Sequence, residues 1–200
     1  MASQSKKPKN KDAQLVDLFH HCAHVAVHRG NRSGGRSGTL SALLKTGPVS
    51  QRELAEVMNV RAATLSEQIA RLDRAGLVER TPSEKDRRSV IVSLSEEGKK
   101  EARRYDELML MLKAGQIRNL RLQQQYTLQE SYITETGERV RAIHYVADFA
   151  YERPTAPDKY GTVFWLPVVE DVKSRATKTA QYEMKKKLLR ERFNLTITEV

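Results

Sequence analysis

Two aspartates and a lysine, Asp148, Asp171 and Lys173, are spaced so that they could share one site. In the run Val168-Val-Glu-Asp-Val-Lys173, read as a strand, successive side chains point to opposite faces. Val169, Asp171 and Lys173 then share one face, and Val168, Glu170 and Val172 the other. A second strand-like run, Arg139-Val-Arg-Ala-Ile-His-Tyr-Val-Ala-Asp-Phe-Ala-Tyr151, carries Asp148 near its end. Side by side, two such strands bring two carboxylates and one ammonium to a point. A hard cation such as Mg2+ takes oxygen from one or two carboxylates and keeps several waters. A lysine beside it can orient or deprotonate an attacking water and steady the developing charge of a phosphate. The bare Asp-x-Lys triplet equally suits a solvated strand end, so the reading depends on the elements around it.

The 200 residues carry a formal net charge of +10, which points to a polyanionic partner, nucleic acid or an anionic membrane. No apolar run approaches the ~18 residues of a membrane helix, and the Lys-rich N-terminus lacks the apolar core of a signal peptide. Membrane association is excluded on this reading, and double-stranded DNA leads. The single cysteine, Cys22, excludes an internal disulfide and suits a reducing cytoplasm.

Residues 1–11 read as a disordered basic arm. Leu15, Leu18, Phe19, Cys22, Val25 and Ala26 recur at helical spacing, giving an amphipathic helix from about Asp12 to Arg29. His20, His24 and His28 line one side of it with His21 beside them. Spacing of this kind can bind a transition metal, but no local carboxylate or cysteine completes such a site, and a packing face is the plainer reading. Gly30-Asn-Arg-Ser-Gly-Gly-Arg-Ser-Gly38 then reads as a flexible basic connector.

From Thr39 the pattern sharpens. Leu40, Leu43 and Leu44 make a short helix closed by Gly47-Pro48. Ser50-Gln-Arg-Glu53 is a capping box opening a helix that should bury Leu54, Val57 and Met58. The next helix, Arg61–Arg74, has Leu65, Ile69 and Leu72 as its apolar stripe. Its other side shows Arg61, Thr64, Gln68 and Arg71, side chains suited to base edges and phosphates. Two strands, Leu77–Arg80 and Ser89–Leu94, flank the charged turn that holds Asp86, Arg87 and Arg88. Helix, turn, helix and a two-stranded wing is a DNA-reading architecture.

Here the sequence resembles the MarR family of winged-helix regulators. The resemblance rests on Ser50-Gln-Arg-Glu-Leu-Ala-Glu, Ala70-Arg-Leu-Asp-Arg-Ala-Gly-Leu-Val-Glu-Arg-Thr, Asp86-Arg-Arg and Ser95-Glu-Glu-Gly98, and covers about residues 12–98. It implies that the Arg61–Arg74 helix enters a major groove and that Arg88, braced by Asp86, reaches the neighbouring minor groove. A winged helix used only for protein contact is the alternative.

MarR-like chains usually continue into a long helix that builds a symmetric dimer. A helix does follow here, Ser95 to about Ala114, but strands come after it: Leu120–Leu128, the Asp148 run and the Asp171 run. A helix from Ala176 to Phe193, with Ala180, Met184, Leu188 and Leu189 as its stripe, precedes a last strand, Leu195–Val200. The order from Ser95 is αβββαβ. With Glu101 on the helix, Asp148 on the second strand and Asp171-Val-Lys173 on the third, it resembles the PD-(D/E)xK nuclease superfamily, and more narrowly a phage-encoded family of small proteins assigned to it. The matching segments are Lys100–Tyr105, Glu107 to Ile117, Val140–Phe149, Val169–Lys173, and Tyr182 with Lys185–Leu188, within residues 99–200.

That resemblance implies an α+β protein, a winged helix-turn-helix domain followed by an αβββαβ restriction-endonuclease-like domain. Asp148 and Asp171 would hold Mg2+ or Mn2+, Glu101 would complete or bridge the site, and Lys173 would position the water. Lys185 and Lys186 would meet DNA phosphates, unless they only form a solvated charged face. Two departures stand out. Asp171 is found where glutamate is frequent, with Glu170 adjacent, so either can be the ligand, and strand alternation favours Asp171. Ser174 stands where glycine is expected.

Two functions follow: a DNA endonuclease with a winged-helix reader, or a MarR-like regulator whose C-terminal half is not catalytic. The two halves are not expected in one chain, and a natural fusion and a chimera read alike. If Leu108, Met109 and Leu112 cover the nuclease sheet, little of that helix is left for a MarR-style partner. The expected state is a monomer, or a homodimer held mainly by the Asp12–Arg29 helix.

Overall fold

Ser50 starts its helix as the capping box requires. In the computed structural model its hydroxyl accepts from the Glu53 amide, and the Glu53 carboxylate accepts back from the Ser50 N–H. The structure describes residues 35–83, 89–172 and 179–200. The basic arm, the Asp12–Arg29 helix with its histidines and Cys22, the turn bearing Asp86, Arg87 and Arg88, and Lys173 lie outside the described residues.

Three helices, α1 (Arg36–Thr46), α2 (Gln51–Met58) and α3 (Ala62–Arg74), pack on an antiparallel sheet of β1 (Val49–Ser50), β2 (Val78–Pro82) and β3 (Val90–Leu94), in the order β1-β3-β2. The expected stripe of α3, Leu65, Ile69 and Leu72, is buried against Leu40, Leu43, Leu54 and Val92. This half is a winged helix.

Two expectations need correction here. Val57 is exposed, because the buried arc of α2 runs through Leu54, Ala55 and Met58 and leaves it outside. The end of the supposed flexible connector is helical: Gly35 is the N-cap of α1, and Arg36, Ser37 and Gly38 are its first turn. Small polar side chains make this possible. Thr39 bonds back to the Gly35 carbonyl at 3.1 Å. Ser41 donates to Asp106 at 2.7 Å on the helix that follows the wing.

That helix, α4 (Glu96–Lys113), is capped by Ser95, whose hydroxyl accepts from Gly98 N–H and donates to the Gly76 carbonyl at 2.6 Å. Gly98 has a steric reason to be glycine: a Cβ there would lie 2.0 Å from the Leu77 carbonyl oxygen. The expected division at Gly98 therefore falls inside a continuous helix. Its first turns close on the winged helix, while Tyr105 and Leu108, with Met109 and Leu112 beside them, pack against Ile117, Phe149 and Tyr151 of the second half.

The second half is a mixed sheet of β4 (Arg118–Gln129), β7 (Ile143–Pro154), β8 (Trp165–Asp171) and β9 (Ile197–Glu199), in that order, antiparallel except for the parallel β8–β9 pair. The parallel crossover is α5 (Ala180–Phe193), capped by the Thr179 hydroxyl. The αβββαβ order holds, with one addition. Residues 139–151 are not one strand, because β5 (Tyr132–Ile133) and β6 (Arg139–Val140) form a separate hairpin before β7 begins. On α5 the side chains turned inward are Tyr182 and Leu189; Ala180 and Met184 are exposed, since the helix begins at Ala180 and meets the sheet through its tyrosine instead. Among the described residues no helix is long and apolar enough to cross a membrane.

Candidate functional site

The β7–β8 register, Phe149 opposite Glu170, carried one step further sets Asp148 against Asp171. At that step the side chains take over from the backbone ladder. Asp148 N–H donates to Asp171 Oδ1 at 3.0 Å, and Val172 N–H donates to Asp148 Oδ2 at 3.0 Å. Both carboxylates are withdrawn from solvent, Asp148 at 5% and Asp171 at 0% exposure, and Glu101 on α4 is at 1%.

Glu101 and Asp148 meet through a residue the sequence reading did not select. Arg36, on the first turn of α1, donates through Nε to Glu101 Oε1 and through Nη2 to Glu101 Oε2, both at 2.7 Å. The same Nη2 donates to Asp148 Oδ1 at 3.1 Å. Burial opposes the Arg36 charge, but the bonds and charge of Glu101, then the charges of Asp148 and Asp171, outweigh it and hold the guanidinium above its ordinary value. The Arg36 guanidinium thus contacts the Glu101 and Asp148 carboxylates directly, with Asp171 close enough for its charge to act on it.

Two more residues belong to this centre. Gln123 donates from its side-chain amide to Asp148 Oδ1 at 3.1 Å. Its backbone is left-handed, with φ of 52° in the middle of β4, a conformation costing a non-glycine residue about 1–2 kcal/mol. Tyr145 places its hydroxyl near Asp171; burial, then the nearness of the Asp171 carboxylate, push that hydroxyl's pKa well up.

The donor chemistry suits a hard divalent ion, all oxygen with no nitrogen or sulfur, and Mg2+ asks no more than one or two carboxylates. Among the described residues, however, no three His, Cys, Asp or Glu side chains are grouped to hold an ion. Glu101 and Asp148 share Arg36 instead.

Glu170 is turned to the other face, as strand alternation requires. Arg104 grips both its oxygens at 2.8 Å, and the Tyr151 hydroxyl donates to it. Burial first, then Glu170, pushes Tyr151 up to about 12. Lys186 is engaged within the chain, at 2.7 Å from Glu199 and 3.4 Å from Glu183, and Lys185 is half-buried.

On the winged helix, Arg61, Thr64 and Arg71 are exposed along α3. Arg71 makes a 3.5 Å ion pair with Glu67, both side chains solvated. Gln68 differs from its three companions: it is half-buried and accepts from the Thr39 hydroxyl at 3.0 Å, so it helps to fix α3 on α1.

A MarR family model matches residues 38–90. Solved structures similar to this chain include a probable transcriptional regulator from Pseudomonas aeruginosa, 24% identical, covering 53% of this chain and 86% of its own, with TM-score 0.36. Streptococcus pneumoniae FabT in complex with DNA is 21% identical over 52% of this chain and 77% of its own, with TM-score 0.38. Wild-type MarR from E. coli is 20% identical over 49% of this chain and 83% of its own, with TM-score 0.39. The search of curated proteins gave no match. Residues 86–199, more than half of the chain, match the model described as "Protein of unknown function (DUF1064)", and the chain belongs to that family.

Proposed function

We propose that this chain binds duplex DNA through its winged helix and cleaves a phosphodiester at the acidic centre of its second half, as a metal-dependent endonuclease. The observation that carries the reading is the buried pair Asp148–Asp171, set face to face at a strand end and joined from α4 by Glu101 through Arg36. Glu101 and Asp148 would hold Mg2+ or Mn2+, with Asp171 behind them fixing Asp148 and adding charge. When bound, the ion polarises a phosphate and lowers the pKa of water. Asp171 keeps the β7 end in place, and Tyr145 covers it from the core. Lys173, two residues beyond Asp171, would position the attacking water. The exposed Arg61, Thr64 and Arg71 give α3 a polar side toward DNA, and the net charge of +10 favours the same partner.

A MarR-like regulator with a non-catalytic second half is the other reading. It is favoured by one observation, that Arg36 already neutralises part of the acidic centre. The two are separated by incubating the protein with supercoiled, linear and branched DNA under Mg2+, Mn2+ or chelator. Cleavage should require the metal and vanish in Asp148→Asn, with duplex binding retained. A wild type that cuts none of these DNAs with any metal would leave the regulator.

A further inference from the structure

The residue that ties the two halves together lies where the ion of the proposed site would be. Arg36 is two residues before the start of the MarR match and belongs to the helix that packs on α4, yet its guanidinium reaches past the winged helix to Glu101 and Asp148. The contact is bidentate on Glu101, the geometry in which a guanidinium binds a carboxylate most strongly. The two carboxylates belong to different elements, α4 and β7, and one nitrogen, Nη2, bridges them. A small cation between two carboxylates would lie in the same place.

We infer that Arg36 is a built-in occupant of the proposed metal centre: it and a divalent ion are alternatives on Glu101 and Asp148, and loading the ion releases Arg36 toward a phosphate of the DNA. The inference rests on the metal reading above and deepens it. Charge makes the occupants exclusive, since a dication and a guanidinium cannot share the same oxygens without strong repulsion. Geometry makes the release useful. The Arg36 side chain is 30% exposed, so it has a path to solvent while its partners do not. The planar fork that fits a carboxylate also fits a phosphate. In the absence of metal, Arg36 would keep the buried anions compensated, so that the centre does not depend on the ion to fold.

The test is Mn2+ binding to the full chain, followed by the electron paramagnetic resonance of free Mn2+, in wild type, Arg36→Gln and Arg36→Lys. Arg36→Gln should bind Mn2+ about tenfold more tightly, the scale of losing a charge-assisted competitor. Arg36→Lys should fall between the two. Equal or weaker binding in both variants, or no Mn2+ binding in any protein, would overturn the inference. Should Arg36→Gln fail to fold, Arg36→Lys decides alone by the same criterion. A second arm measures duplex affinity with Ca2+ added: wild type should gain affinity on Ca2+ addition and Arg36→Gln should gain less, while an equal gain would overturn the phosphate role. Neither readout needs cleavage. Tighter Mn2+ binding without any cutting would therefore sink the nuclease reading and leave this one standing.

Discussion

Gln123 stands across from Asp148 in the antiparallel β4–β7 pair, between the partners Leu122–Phe149 and Gln124–Ala147, and its amide reaches Asp148 Oδ1 at 3.1 Å. The left-handed backbone of Gln123, φ 52°, is the cost of aiming that amide. Gln123→Ala should keep the strain and lose the bond, whereas Gln123→Gly should lose both. The glycine variant is therefore expected to be the more stable of the two, by about 1 kcal/mol in urea unfolding. Both should bind Mn2+ more weakly than wild type, because Asp148 loses a donor that orients it. An alanine variant as stable as the glycine one would show that the backbone there is unstrained.

Glu170 and Asp171 are neighbours with opposite tasks, and their amides should separate them. Glu170→Gln leaves Arg104 without its bidentate partner, so stability should fall by about 1–3 kcal/mol with Mn2+ affinity unchanged. Asp171→Asn should weaken Mn2+ binding. Tyr151 adds a pH signature. It titrates at about 12 in the fold against an ordinary 10.0, so its contribution to stability is full below pH 10 and is lost as pH rises toward 12. Tyr151→Phe should remove that part of alkaline unfolding, as followed by circular dichroism. Loss of Mn2+ binding in Glu170→Gln instead would reverse the assignment.

On α3 the exposed and the half-buried polar residues should part company. Arg71→Ala should weaken duplex binding equally across sequences and lower the slope of affinity against salt by about 1. Thermal stability should be unaffected, since its ion pair with Glu67 is solvated. Gln68→Ala should cost at most about 1 kcal/mol of stability, because the Thr39 hydroxyl loses this acceptor but keeps the Gly35 carbonyl. Gel shifts and melting curves of the two variants check both halves of the statement.

Local signals were legible in the sequence and distant ones were not. The capping box at Ser50 and Glu53, the Leu65–Ile69–Leu72 stripe and the αβββαβ order each follow from residues a few positions apart, where periodicity and capping act. Strand alternation also separated Asp171 from Glu170. Arg36 could not be found that way. It sits among glycines and serines, its helix buries Ser37, Thr39 and Ser41 alongside Leu40 and Leu43, and its partners are 65 and 112 positions away. A turn of helix counted back from Leu40 would have reached Arg36, but nothing local says what it touches. Gln123, Gln124 and Gln125 stand in a row in the sequence, and the choice of Gln123 depends on a backbone twist that no side-chain pattern encodes. Val57 and Met184 were read as core because they are apolar, and each lies just beyond the arc its short helix buries.

The 18 residues of α4 give a helix of about 27 Å with no linker at its start, one end locked to the wing through Ser95 and Gly98 and Glu101 one turn further along. A helix of this kind works as a ruler. A duplex seated on α3 would meet the acidic centre at a constant number of base pairs from the footprint, whatever the sequence between. On the endonuclease reading, lengthening α4 by one residue just after Gly98 would turn Glu101 by about 100° and uncouple binding from cleavage, rather than move the cut along the DNA.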